Sequence, residues 1–257
     1  MHFSHPPISS AERESFEARL AEVLARPLLR GQHDPGSEMC VMEAAAYIAG
    51  EPWSDSPHCV CPTITAFMVS WNDALPTDAE RDRLLKPLLP RLIGTRSTDA
   101  LAERRAWMAF DWLVRVHTPR WLDLTESLKP HAAALRRLPE IVDLAGALAA
   151  GESLKAAQQA ATAAWDAARD AARDAARDAA WDAVRAAALD AAWDAARAAA
   201  WDAARAAAWA AAWDAARAAA WDALKPTTEW LQASAQQLVI RMCELTPVSQ
   251  QNTGANP

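Results

Sequence analysis

The chain has 257 residues, a net charge of −7 and 52% hydrophobic residues, although Ala inflates the last figure. With only seven Gly and one Tyr, and with Ala, Leu, Arg and Glu dominant, the composition predicts an all-α protein. The acidic balance speaks against a nucleic-acid partner, which needs a basic face.

The opening stretch MHFSHPPISSAERESFEARL lacks the basic and then apolar regions of a secretory signal. Asp or Arg interrupts the Ala tract every few residues, so no stretch reaches the length of a membrane span. These features predict a soluble, cytoplasmic protein for which a membrane partner is not expected. The four cysteines, Cys40, Cys59, Cys61 and Cys243, then read as thiols or metal ligands rather than disulfides.

In chain order, residues 10–29 predict an amphipathic helix capped by Ser9 or Ser10, with Phe16, Leu20, Val23 and Leu24 at helical spacing. Asp34-Pro35-Gly36 is turn chemistry. A short apolar helix over 38–50 is stopped by Gly50. After a loop over 51–62, a buried helix is expected over 63–75. Thr77 and Glu80 form a capping box for a helix over 77–94, which Pro87 and Pro90 should kink or break. A strong amphipathic helix spans 97–118, ended by Pro119, and another spans 138–151. Helices on short connections define an expected globular all-helical domain over 1–150, either a bundle or a stack of helical hairpins.

Residues 151–225 form an Ala-rich tract with a strict period of four. Every fourth residue from 165 to 221 is Trp or Arg, save Leu189; the next is Asp in ten cases and Ala in five. Ala has the best helix propensity, and a tract this long overcomes the nucleation cost. Four residues turn a helix by about 400°, so the Trp/Arg stripe advances about 40° per repeat and circles the helix in roughly 36 residues. That period lies outside both coiled-coil repeats. Trp165, Trp181, Trp193, Trp201, Trp209, Trp213 and Trp221 are the candidate interaction residues. The tract reads as a spacer or oligomerisation helix that self-associates, making a homo-oligomer, or folds back on the N-terminal domain. Membrane-surface helices carry basic and apolar residues on opposite faces; here Trp and Arg share one stripe. The tract also reads as an expanded twelve-nucleotide DNA repeat, because Trp and Arg codons, like Asp and Ala codons, differ by one base. A C-terminal amphipathic helix follows over 226–246, and 247–257 reads as a disordered tail.

Possible chemistry concentrates between residues 33 and 61. His33 and Cys40, with His58, Cys59 and Cys61, are the candidate metal ligands, zinc being the ion that such a set would hold. Cys-x-Cys is nevertheless a poor chelating turn for one tetrahedral ion. The competing reading is of buried thiols and loop histidines. Cys40 beside His33 is a weaker candidate nucleophile at a helix start. His33-Asp34 matches the adjacent pair of metal phosphohydrolases without their further His and Asp. No phosphate loop or dinucleotide fingerprint occurs, and no catalytic or cofactor-binding residue is assigned.

The stretch HDPGSEMCVMEAAAYIAGEPWSDSPHCVCPTITAFMVSWND, with LLKPLLPRLIGTR and WMAFDWLVR after it, resembles a family of proteins carried by actinobacterial phages and prophages. The likeness covers roughly residues 33–150 and returns in the Ala-rich tract ending at Leu224–Thr227, here without the glycines common in such tracts. The resemblance implies a protein of the bacterial host cytoplasm acting by protein–protein contact, and carries no activity with it. A looser likeness in composition, to Ala-rich helical immunity proteins, suggests an inhibitor that binds a protein target.

Overall fold

The computed structural model describes residues 10–36, 38–190 and 222–246, with the side chains of Ser10, Arg169 and 171–190 outside that description. The protein is all-α: no strand occurs among the described residues. No described helix is long and apolar enough to cross a membrane.

The helices are α1 (Ser10–Leu24), α2 (Val41–Ala49), α3 (Pro62–Ala74), α4 (Asp78–Leu85), α5 (Leu89–Leu92), α6 (Asp99–Trp112), α7 (Thr118–Leu122), α8 (Lys129–Arg136) and α9 (Leu144–Asp190), followed by α10 (222–244). Their ends follow local chemistry. Thr77 caps α4 by accepting from the Glu80 amide at 3.2 Å. Gly50 ends α2 at φ 74°, a left-handed geometry that costs Gly little. Pro87 falls in a 3-10 turn, Lys86–Leu88, that separates α4 from α5, so the expected break occurs there.

Two expectations fail on proline and glycine. Pro119 does not stop the helix over 97–118. The chain passes through a π turn, Leu113–His117, and Pro119 lies in the first turn of α7, where its missing N–H costs nothing. Nor is there a separate helix over 138–151: α9 starts at Leu144 and runs unbroken through Gly146 and Gly151 into the repeat tract. Each Gly costs a helix only about 1 kcal/mol relative to Ala, too little to end one flanked by good formers.

The chain divides into two compact units. One comprises Met1–Trp112, Glu140–Asp143 and Gln232–Pro257; the other comprises Leu113–Pro139 and Leu144–Leu231. These limits differ from boundaries at 150 and 226, because the far half of α10 belongs with the N-terminal helices.

In the first unit, Met42 and Ile48 of α2, Ile64 and Met68 of α3, Leu84, Leu85, Leu89 and Leu92 of α4 and α5, and Leu238, Val239 and Met242 of α10 are all buried. Phe67 meets Trp71 and Trp112 edge-on at 6.0 Å, and the Trp112 indole N–H donates to Ser234 Oγ at 2.8 Å. The buried Arg105 guanidinium closes the end of α10: Nε donates to Met242 O at 2.8 Å, Nη2 to Leu245 O at 3.3 Å and Nη1 to Thr95 O at 2.6 Å. The carbonyls at the end of α10 have no helical donor left, so a cation there completes the cap and meets the negative helix end.

In the second unit, α7 and α8 pack together and α8 lies on α9, burying Leu122, Ala132, Leu135, Ala150 and Ala157. Arg120 stacks over the Trp230 ring at 5.1 Å, and Arg136 pairs with Asp123.

Replacing Arg105 by Met keeps the bulk and removes every donor. Charged hydrogen bonds are worth about 1.5–3 kcal/mol each, and lost ones leave buried carbonyls unpaired. Urea denaturation of Arg105→Met is expected to show a loss of about 3 kcal/mol or more. Amide exchange in 238–244 should quicken with it.

Candidate functional site

The segment between α1 and α2 has no helix of its own, yet Leu28, Met39 and Cys40 within it are buried. Its backbone groups therefore need partners, and side chains from three helices supply them. Asp82 of α4 accepts from the Leu28 amide at 2.8 Å, and Asp73 of α3 from the Gly31 amide at 3.0 Å. Asn72 of α3 accepts from the Val41 amide at 3.3 Å and donates to Leu29 O at 3.0 Å. The Leu29 amide donates to Met39 O at 2.9 Å, drawing the two ends of the loop together. Arg81, itself buried, locks this set by donating to Asn72 O at 2.8 Å and Leu75 O at 2.7 Å.

Glu43 is the centre of the arrangement. It stands in the first turn of α2 and is 0% exposed. One carboxylate oxygen accepts from the His33 amide at 2.7 Å; the other accepts from the Cys40 amide at 2.7 Å and faces His33 Nδ1 at 3.0 Å. Cys40 completes a capping box, its sulfur accepting from the Glu43 amide at 3.5 Å. Two backbone donors thus converge on one buried carboxylate, with the His33 Nδ1 beside them. The other ring nitrogen, Nε2, lies 3.8 Å from the exposed Glu38 carboxylate. Trp53 holds the same residue from behind, its indole N–H donating to His33 O at 2.8 Å. A carboxylate on one imidazole nitrogen is how proteins orient a base or a metal-binding His.

The metal candidates fall into three neighbourhoods rather than one. His33 and Cys40 meet at Glu43. His58 and Cys59 belong with Glu51, which accepts from the His58 amide at 2.6 Å and, after burial, is the main influence raising Cys59. Cys61 sits at the start of α3 beside Arg105. No group of three or more His, Cys, Asp or Glu able to hold a metal ion occurs among the described residues. Cys40 is no ready nucleophile either: burial, chiefly, pushes its thiol up to about 12.

Of the candidate interaction residues, Trp165 is 69% exposed on α9. The side chains of Trp181, Trp193, Trp201, Trp209, Trp213 and Trp221 lie outside the described residues. Sequence reasoning misses Asn72, Asp73, Arg81, Asp82 and Glu43 as the residues that shape the loop. Only Glu43 carries a readable signal: Cys40-Val41-Met42-Glu43 has capping-box spacing, with a thiol in place of the usual hydroxyl.

Glu43→Gln is isosteric, but its NH2 must face one of the two backbone N–H groups, since each carboxylate oxygen accepts one. Chemical denaturation is expected to register a loss of about 2–4 kcal/mol, with Trp53 fluorescence altered in the folded state.

Thiol reactivity gives a separate check. Burial, then Glu51, raises Cys59 to about 11, so at pH 8 about one molecule in a thousand carries its thiolate. Its alkylation rate by iodoacetamide, followed by mass spectrometry, should keep climbing up to pH near 11. Levelling off near the ordinary 9.0 would contradict the burial argument. Comparison of the chain with protein-family models, with curated proteins and with solved structures finds no match in any of the three.

Proposed function

We propose that this is a non-enzymatic, phage-derived protein that acts by protein–protein contact in a bacterial host, with α9 as its oligomerisation or spacer element. The observation that carries the reading is the exposed apolar surface of α9. Leu144 is 64% exposed, Leu148 72% and Trp165 69%. At 100° per residue these three fall within an arc of about 100° on one helix. Val142, just ahead of α9, is also exposed. Leu144 and Leu148 adjoin on this face, and Trp165 follows beyond the exposed Lys155, Gln158 and Thr162; large exposed hydrophobics that neighbour one another mark an interaction surface.

The rest of the molecule fits a binding role. The buried polar groups around Glu43 and Asn72 are committed to holding backbone in place. The 47 residues of α9 extend over roughly 70 Å, a reach suited to bridging or pairing. The acidic net charge favours a protein partner, including a second copy of this chain, over nucleic acid.

Size-exclusion chromatography with light scattering on the full chain tests this. A mass above that of one chain, rising with concentration, is expected. The double variant Leu148→Glu, Trp165→Glu should return it to a monomer with unchanged helicity, since both positions are exposed. A wild-type protein that is monomeric at every concentration removes the oligomerisation reading and leaves α9 as a spacer.

A further inference from the structure

The far half of α10 completes the core of the first unit. Ala235, Leu238, Val239 and Met242 are buried, at the i, i+3, i+4, i+7 spacing of one helical stripe. Polar contacts with residues 83–112 hold that stripe in its seat. Arg83 Nη2 donates to Gln232 Oε1 at 3.2 Å, the Gln236 side-chain amide to Leu84 O at 2.8 Å, and the Trp112 indole to Ser234 Oγ at 2.8 Å. Arg105 donates to the carbonyls of Met242 and Leu245, and Arg91 Nη1 lies 3.4 Å from the Glu244 carboxylate. None of these contacts depends on the path by which the chain reaches the seat.

That path is long. After the buried Ala157, α9 runs on to Asp190, about 50 Å further along the helix at 1.5 Å per residue. By Trp230 the chain is back in the same second unit, against Arg120 of α7. A return within one chain therefore needs a reversal of direction after Asp190. Chains reverse most readily on Gly, Pro and Asn, and the sequence has none of the three from Glu152 to Lys225. Its many alanines favour continuation of a helix over a turn.

We propose that two copies of this chain exchange α10, each filling the seat on the first unit of the other. The inference rests on the reading that α9 pairs with a second copy. A chain that keeps its direction beyond α9 delivers α10 to a copy facing the opposite way, and two-fold symmetry brings the partner's α10 back. Such an exchange is self-complementary and closes at a dimer. It keeps every contact of the seat and removes the need for the reversal. Residues 83–112 are then a binding surface for a helix of defined chemistry. That helix carries apolar residues at the spacing of Ala235, Leu238, Val239 and Met242, and ends in free carbonyls that Arg105 can cap.

The test places the photo-crosslinker p-benzoylphenylalanine at position 244 of the full-length chain. The Glu244 side chain is 62% exposed and its pairing with Arg91 lies at the surface, so its loss costs little; circular dichroism checks the fold. The same probe in place of Arg91, also exposed, reads the contact from the other side. Light scattering gives the mass in solution. After irradiation, a denaturing gel separates one-chain from two-chain bands, and each is digested for mass spectrometry. The expected result is a two-chain mass in solution, with residue 244 joined to the Arg91 peptide in the two-chain band. The same join confined to the one-chain band of a dimeric protein overturns the exchange and leaves the pairing of α9 standing. A protein of one-chain mass at every concentration overturns both.

Discussion

Burying a non-helical segment is costly because its peptide groups lose water and have no helical ladder to replace it. The carboxylate of Glu43 meets that demand for the segment between α1 and α2, taking the His33 and Cys40 amides on its two oxygens. Everything around the loop depends on this anchor. It fixes the start of α2, holds the His33 ring, and brings Cys40 to the cap position. Asn72, Asp73 and Asp82 repeat the same solution from neighbouring helices. A buried network of this kind is stable only when its members are satisfied together, so this part of the molecule stands or fails as one piece.

The same logic decides how much is legible in the sequence. Fold class and most helices are readable, because Ala-rich composition, the Thr77 cap and the Gly50 stop act locally. The run from α6 to α7 is not, because Pro119 reads as a terminator, whereas a proline in a helix's first turn is tolerated. The merging of 144–151 into the repeat tract is hidden for a similar reason: Gly146 and Gly151 weigh little against the alanines around them. The loop network is illegible. Asp73 pairs with Gly31 and Asp82 with Leu28, across 42 and 54 residues, and no local pattern encodes a distance of that kind. For the candidate site, proximity in sequence misleads: His58, Cys59 and Cys61 lie within four residues, yet their neighbours are Glu51 on one side and Arg105 on the other.

The exposed apolar residues of α9 lie where ordinary sequence gives way to the period-four repeat. Leu144 and Leu148 precede the repeat, and Trp165 is its first aromatic. The exposed apolar positions thus begin in ordinary sequence and reach the first Trp of the repeat.

The grip of Arg105 on Met242 and Leu245 joins residues 137 and 140 positions apart. A core that includes Leu238, Val239 and Met242 cannot close while those residues are still inside the ribosome. The N-terminal helices must therefore wait, with part of their apolar surface open, until the whole Ala-rich tract has been made. Contacts of such sequence separation slow folding, and exposed surface in the interval invites wrong partners. The order of synthesis makes the core of the helices over 41–112 dependent on residues 238–245 for its completion.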